Sequence, residues 1–269
     1  MKSRTHDTRP HWFRVGRIGR ILYVASQFCL SPLQRSLNVA PKDITAFLIV
    51  RDIVSPCEAI IDSLRAEGVL AENIIILDTG TTFKPSKIIL TMLKERGHRV
   101  ISLESTEQQF GPYALWRCAR LRRLLPARAP FFVTDGDLEF PCNKGTGWLS
   151  VCIDMLNYYK YVPKISLSLR LDDIDTVDAE LVCRHETALK ENILFRTLGR
   201  LLLDNKVGCY FCPTDTTASL YRPNKLFTTF SLRLKNLQIR HLPWYREFRE
   251  SEEFIYYKKN KVKSFGMWS

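Results

Sequence analysis

Ile44-Thr45-Ala46-Phe47-Leu48-Ile49-Val50-Arg51-Asp52 is a near-continuous apolar run that stops at two charged residues. Alternation would mark a strand with one wet face. An unbroken run of this kind marks a strand buried on both faces, as in a parallel sheet covered by helices. Ser55-Pro56 then opens a helix that turns Ile60, Ile61 and Leu64 inward and ends at Gly68, with proline at the start and glycine past the end. That completes one βα unit, and the pattern repeats. Residues 73–77 (Asn-Ile-Ile-Ile-Leu) read as a second strand, Asp78-Thr79-Gly80-Thr81-Thr82 as a polar turn, and 85–96 as a helix closed by Gly97. A third strand over 99–103 leads through Phe110-Gly111-Pro112 into a helix over 113–125, and a fourth strand over 131–134 ends in Asp135-Gly136-Asp137. Repeated βα units predict an α/β fold with a mostly parallel, Rossmann-like sheet.

Past Asp137 the alternation weakens. A helix over 148–160, a strand over 165–170, a helix over 186–204 and strands over 208–212 and 218–221 predict a mixed second half. The expected organisation is a basic extension over 1–42, a domain over 43–258 and a basic tail over 259–269. Within the domain, residues 43–140 form the nucleotide-binding half and 141–258 the half that receives the other substrate.

With 269 residues, 45% of them hydrophobic, the chain can bury one substantial core. Its net charge of +12 favours anionic partners. The charge is uneven. Lys2, Arg4, Arg9, Arg14, Arg17, Arg20 and Arg35 stand against Asp7 in the first forty residues, and Lys258, Lys259, Lys261 and Lys263 close the chain. The middle is nearer balance, which argues against a nucleic-acid groove across the whole fold, and no zinc-finger, RNP or P-loop pattern occurs. On a helix, Ile18, Ile21, Leu22, Ala25, Phe28 and Cys29 share a face flanked by Arg14, Arg17 and Arg20. Residues 12–29 therefore read either as a peripheral contact on the inner face of a membrane or as a helix packed on the domain. No apolar run is long enough to span a bilayer. Eight scattered cysteines, with only Cys209 and Cys212 at close spacing, fit reduced thiols in a cytoplasmic protein rather than a zinc set.

In a parallel α/β sheet the loops after the strands share one edge, so Arg51-Asp52, Asp78-Thr79-Gly80 and Asp135-Gly136-Asp137 are expected to face one crevice. Paired carboxylates at a strand end suit a hard divalent cation holding a diphosphate. Asp78 can accept from a base or ribose, and Gly80 lets backbone approach a ligand; the plainer reading of Asp78 is an Asx turn.

Four stretches together resemble family-2-like glycosyltransferases of the GT-A fold: 44–52, the Asp78-Thr79-Gly80-Thr81 turn, Phe110-Gly111-Pro112-Tyr113-Ala114-Leu115-Trp116, and Val133-Thr134-Asp135-Gly136-Asp137. The resemblance continues through Leu169-Arg170-Leu171-Asp172-Asp173, Pro213-Thr214-Asp215-Thr216-Thr217 and Arg240-His241-Leu242-Pro243-Trp244-Tyr245. It implies a nucleotide-sugar donor, a glycan or lipid-linked acceptor, Mn²⁺ or Mg²⁺ at the Asp-X-Asp motif and an inverting outcome. On that basis Asp137 is the expected direct metal ligand, Asp135 a metal ligand or a ribose contact, His241 a third ligand or phosphate contact, and Arg240 a phosphate contact. Arg51, Asp52, Asp78 and Gly80 complete the donor set. Asp215 is the leading general base, with Asp172 and Asp173 as competitors, although the Glu-Asp pair common at that position in the family is missing. A nucleotidyltransferase, or a basic module that binds nucleic acid or membrane without catalysis, are the alternatives. The first lacks a Gly- and Lys-bearing loop after strand one, and the second gives no reason for three acidic strand ends.

Overall fold

The computed structural model of the protein describes residues 37–140, 147–176, 178–203 and 208–260. The readings of the basic N-terminal segment, of a helix over 12–29 and of Lys261 and Lys263 lie outside the described residues.

Strands β1 (Thr45–Val50), β2 (Ile74–Asp78), β3 (Arg99–Ser102) and β4 (Phe131–Asp135) form the expected parallel half, in the order β3-β2-β1-β4. β1 has strands on both sides and no water on either face. Its residues therefore alternate between two apolar layers. Ala46, Leu48 and Val50 meet helix α1 (Cys57–Ala66), helix α2 (Lys84–Glu95) and helix α5 (Trp148–Tyr158). Phe47 and Ile49 meet Ile75, Leu77, Phe131 and Val133, capped by Leu115, Trp116 and Leu121 from two short helices, α3 (Ala114–Arg117) and α4 (Ala119–Arg122). The helix expected over 113–125 is thus broken at Cys118, which adopts extended backbone (φ −85°, ψ 123°).

The second half is mixed, as expected. β8 (Ser219–Tyr221) runs antiparallel to both β4 and β6 (Lys164–Leu169), and β6 runs parallel to β9 (Phe230–His241). β9 also carries β7 (Cys209–Pro213) and the short β5 (Leu138–Glu139), both antiparallel. Sequence reading misses β5 and β9. β9 is twelve residues long, and its register to β6 shifts between Leu167↔Leu234 and Ser168↔Gln238. Charged residues at that irregularity interrupt the period-2 pattern. The helix expected over 186–204 is two helices, α6 (Ala179–Lys190) and α7 (Ile193–Leu202). Cys209 and Cys212 lie three apart on β7, hence on opposite faces, and both are free thiols. Trp244 and Tyr245 are core residues packed with Val182. Among the described residues no helix is long and apolar enough to cross a membrane.

The chain ends against the parallel half. Helix α8 (Arg246–Arg249) and helix α9 (Glu252–Asn260) follow β9, and α9 returns to the loops after β1 and β2.

Gly136 shows how tightly the strand ends are packed. Its N–H donates to the Ile49 carbonyl at 2.8 Å, and a Cβ there would lie 2.5 Å from Val50 Cγ1 and 3.3 Å from the Ile49 oxygen. Gly136→Ala must push β4 away from β1, and overpacking of this kind costs about 1–3 kcal/mol. A urea titration should show that loss, with the m-value unchanged.

Candidate active site

β1 lies between β2 and β4 in parallel register, with Val50 opposite Asp78 and Ile49 opposite Asp135. The three polar strand ends therefore leave the sheet at one edge, as the sequence predicts. What their side chains do there differs from one to the next.

Asp52 sits at φ +58°, in the left-handed region that non-glycine residues seldom occupy, and the Ile53 N–H closes a tight turn on the Arg51 carbonyl at 2.7 Å. Its carboxylate is almost wholly buried. Oδ1 accepts the backbone N–H of Thr82 (2.5 Å) and Phe83 (2.9 Å) and the Thr82 hydroxyl (3.1 Å), while Ser86 Oγ donates to the Asp52 carbonyl (2.6 Å). Asp52 thus ties the end of β1 to the start of α2, which is a scaffolding task; the expectation of a donor contact finds no support in its partners. Asp78 behaves similarly. Its Oδ1 accepts the N–H of Gly80 (3.1 Å) and Thr81 (2.7 Å), the Asx turn that is its plainer reading, and Oδ2 accepts Ser102 Oγ (3.2 Å). Gly80, at φ +113°, has no room for a Cβ beside Gln108. Arg51 keeps its buried Nε without a hydrogen-bond partner.

Beyond β4 the acidic side chains gather instead. Asp135 accepts Thr216 Oγ1 at 2.6 Å and Thr217 Oγ1 at 3.4 Å, and the same Thr217 hydroxyl lies 2.8 Å from Asp215 Oδ1. Burial, then the charges of Asp215 and Asp137, push the Asp135 carboxyl up to about 8, against the pull of the Thr216 hydrogen bond and of His241. The β5·β9 ladder supplies the imidazole. Leu138 pairs with His241, the Leu242 N–H donates to the Asp137 carbonyl at 2.9 Å, and His241 Nε2 comes 3.4 Å from Asp137 Oδ2. Burial works against a charged His241, but Asp137, Asp135 and Asp215 outweigh it and raise its pKa above the ordinary value.

Asp137 Oδ1 and His241 Nδ1 are buried without a hydrogen-bond partner. Such groups are costly unless something else completes them. Among the described residues no three His, Cys, Asp or Glu side chains close into a metal cage by themselves. A nucleotide-bound Mg²⁺ or Mn²⁺ asks for less, since it takes one or two carboxylates and fills the remaining positions with water and phosphate oxygens. The orphaned oxygen of Asp137, beside two further carboxylates, fits that requirement.

The remaining expected residues lie elsewhere or act otherwise. Arg240 is not free for phosphate: Nη1 pairs with Glu139 at 2.8 Å, Nε lies 3.4 Å from Asp173, and the guanidinium stacks 3.8 Å from the Tyr245 ring. Asp173 accepts the Tyr245 hydroxyl at 2.7 Å and pairs with Arg170; Asp172 is exposed and also faces Arg170. Neither competitor for the base role joins the Asp135 cluster, because that whole network belongs to the packing of β9 and the 170–173 turn. Asp215 does join it. It is exposed, and its loop is pinned from behind by Lys164, a fully buried ammonium that donates to the carbonyls of Thr214 (2.6 Å) and Asp215 (2.7 Å) and to Tyr221 Oη (3.0 Å).

Sequence reading misses Lys164, Thr216 and Thr217 as site residues. Lys164 had a signal, a lone lysine opening the apolar strand Ile165-Ser166-Leu167; the threonines had none beyond the neighbouring Asp215. The aromatic walls, Tyr113 and Tyr257, feel the same carboxylates, which together with burial raise both phenols.

No protein-family profile matches the chain, and no curated protein matches it either. Solved structures do. Glucosyl-3-phosphoglycerate synthase from Mycobacterium tuberculosis, in complex with phosphoglyceric acid, is 19% identical with a TM-score of 0.39, over 68% of this chain and 58% of its own. A mannosyltransferase from Pyrobaculum calidifontis, in complex with GDP-Man and Mn²⁺, is 16% identical with a TM-score of 0.34, over 70% and 55%. A mycobacterial protein is 16% identical with a TM-score of 0.41, over 75% and 68%. The chain spans little more than half the length of the first two. Likenesses this distant carry no weight beside the chain's own residues.

The engagement of Asp52 in its own loop has a measurable consequence. Asp52→Ala removes the acceptor for two backbone N–H groups and should cost about 1–3 kcal/mol, whereas Asp52→Gly recovers part of that loss because glycine takes positive φ freely. Chemical denaturation should rank wild type above the glycine variant and the glycine variant above the alanine variant.

Proposed function

We propose that the protein is a GT-A-type glycosyltransferase that uses Mn²⁺ or Mg²⁺ to move a sugar from a nucleoside-diphosphate donor to a hydroxyl of a glycan or lipid-linked acceptor, with inversion. One observation carries the reading: Asp135, Asp137 and His241 gather with the exposed Asp215 at the carboxyl edge of a parallel sheet, and the innermost carboxylate keeps an unsatisfied oxygen. Like charges so close resist ionising together. A divalent cation with a diphosphate is the ligand class that relieves them.

Asp137 is the residue to hold the cation, with Asp135 beside it and His241 fixing the Asp137 carboxylate from behind. A bound Mn²⁺ or Mg²⁺ supplies Lewis-acid stabilisation to the departing nucleoside diphosphate. The residues 43–140 provide the donor half and 141–258 the acceptor half. Arg51, whose Nε is unpaired, is the free cation nearest the β1 end for a donor phosphate, the role expected of Arg240. Asp215 takes the proton from the acceptor hydroxyl as that oxygen attacks the anomeric carbon and the bond to the diphosphate breaks. Its loop placement suits this task, since Lys164 fixes the backbone of residues 214–215 while the carboxylate stays open to the acceptor side. A base must sit within one hydrogen bond of the reacting hydroxyl, and Asp215 is the carboxylate of the cluster that solvent reaches most freely. A lipid-linked acceptor would suit the basic, amphipathic residues 12–29.

Asp137→Asn should abolish metal-dependent release of nucleoside diphosphate across a panel of nucleotide sugars while leaving the fold intact by circular dichroism; near-normal turnover would remove Asp137 from the metal site. Release of pyrophosphate instead would point to nucleotidyl transfer. For Asp215→Asn the expectation is loss of transfer by a factor of about 10²–10⁴, the usual contribution of a general base, with donor affinity retained. A fall in donor affinity measured by calorimetry would take Asp215 out of that role.

A further inference from the structure

Helix α9 is fastened to the active-site edge by a buried acid. Glu253 is 8% exposed and accepts four hydrogen bonds: from the N–H of Val54 (2.7 Å) and of Ser55 (3.0 Å) and from Ser86 Oγ (2.9 Å) at Oε1, and from Ser55 Oγ (2.5 Å) at Oε2. These partners come from the loop after β1 and from the first turn of α2. Tyr256 makes a second attachment, its hydroxyl 3.2 Å from Thr82 Oγ1 and its ring 4.7 Å from that of Phe83, on the loop after β2. Side chains three and four apart on a helix share a face. With Glu253 seated at residues 54–55, the next turn on that face belongs to Tyr257, and it points toward the ends of β1 and β4. The charges around the phenol agree with that placement. It is half-buried, and Asp137, Asp135 and Asp52 raise its pKa, after burial, to about 12, with Arg51 opposing them.

We propose that Tyr257 is a donor-binding residue, held over the crevice by Glu253 acting as a positioning residue, and that its hydroxyl donates to the nucleoside diphosphate. The inference rests on the glycosyltransferase reading and adds a third wall to its donor site, from the far end of the chain. A phenol kept protonated among carboxylates is a donor without charge. It can meet a phosphate or ribose oxygen where another acid would repel it. The attachment of α9 through Glu253 also explains why an acid is buried so far from the metal-binding cluster: removing it would free the helix and take Tyr257 out of the crevice.

The test is calorimetric titration of the full-length protein with UDP, GDP and ADP in Mn²⁺, on wild type, Tyr257→Phe, Tyr257→Ala and Glu253→Gln. The expected result is that the wild type binds one of the three, that Tyr257→Phe weakens it about 5-fold or more, the loss of roughly one hydrogen bond, and that Tyr257→Ala weakens it further. Glu253→Gln should weaken it comparably although it does not touch the nucleotide, with faster amide exchange at Val54 and Ser55. Tyr257→Phe keeps the ring packing and decides the matter if Tyr257→Ala melts early. Wild type that binds a nucleotide no better than Tyr257→Phe and Tyr257→Ala overturns this inference alone. A wild type that binds none of the three overturns it together with the donor reading.

Discussion

The parallel register of β2, β1 and β4 is the constraint on which the site depends. Hydrogen bonding aligns Val50 with Asp78 and Ile49 with Asp135, so the first polar residue after each strand must emerge at the same edge. Apolar burial holds that register. The residues of β1 pack alternately into two layers with almost no exposure, and slipping by one position would turn every one of them to the wrong layer. Gly136 completes the alignment, because its missing Cβ lets the β4 turn lie against Val50 and brings Asp137 back over the sheet.

The acidic residues at that edge divide into two groups with opposite fates. Asp52, Asp78 and Glu253 are buried and satisfied by backbone N–H groups and hydroxyls, and each ties loops together. Asp135, Asp137 and Asp215 are gathered with too few donors. Thr216, Thr217 and His241 offset part of their repulsion, and an oxygen of Asp137 is left over. A carboxylate with its lone pairs filled is architecture, and one with a lone pair left empty in a buried cluster is a place for a ligand. The basic residues divide in the same way, with Arg233 paired to Glu186 at 2.7 Å, Arg222 donating to the carbonyls of Leu156, Tyr159 and Val162, and Lys164 supporting the Asp215 loop, while Arg51 Nε has no partner.

The three-layer architecture and the shared edge of the strand ends were legible in the chain itself. Unbroken apolar runs such as 44–50, closed by Gly68 and Gly97, are local signals, and burial on both faces leaves a parallel sheet as their common solution. Asp135, Asp137 and Asp215 were legible as candidates for the same reason, since each follows a strand. Partners distant in the chain were not. Whether Asp78 binds a ligand or its own turn depends on backbone dihedrals at Gly80, whether Arg240 is free depends on Glu139 and Asp173, and Glu253 meets Val54 only because α9 folds back across the sheet. Periodicity reports which face a residue takes. It is silent on what lies opposite that face, because ladder pairing and helix return are set by the packing of the whole core.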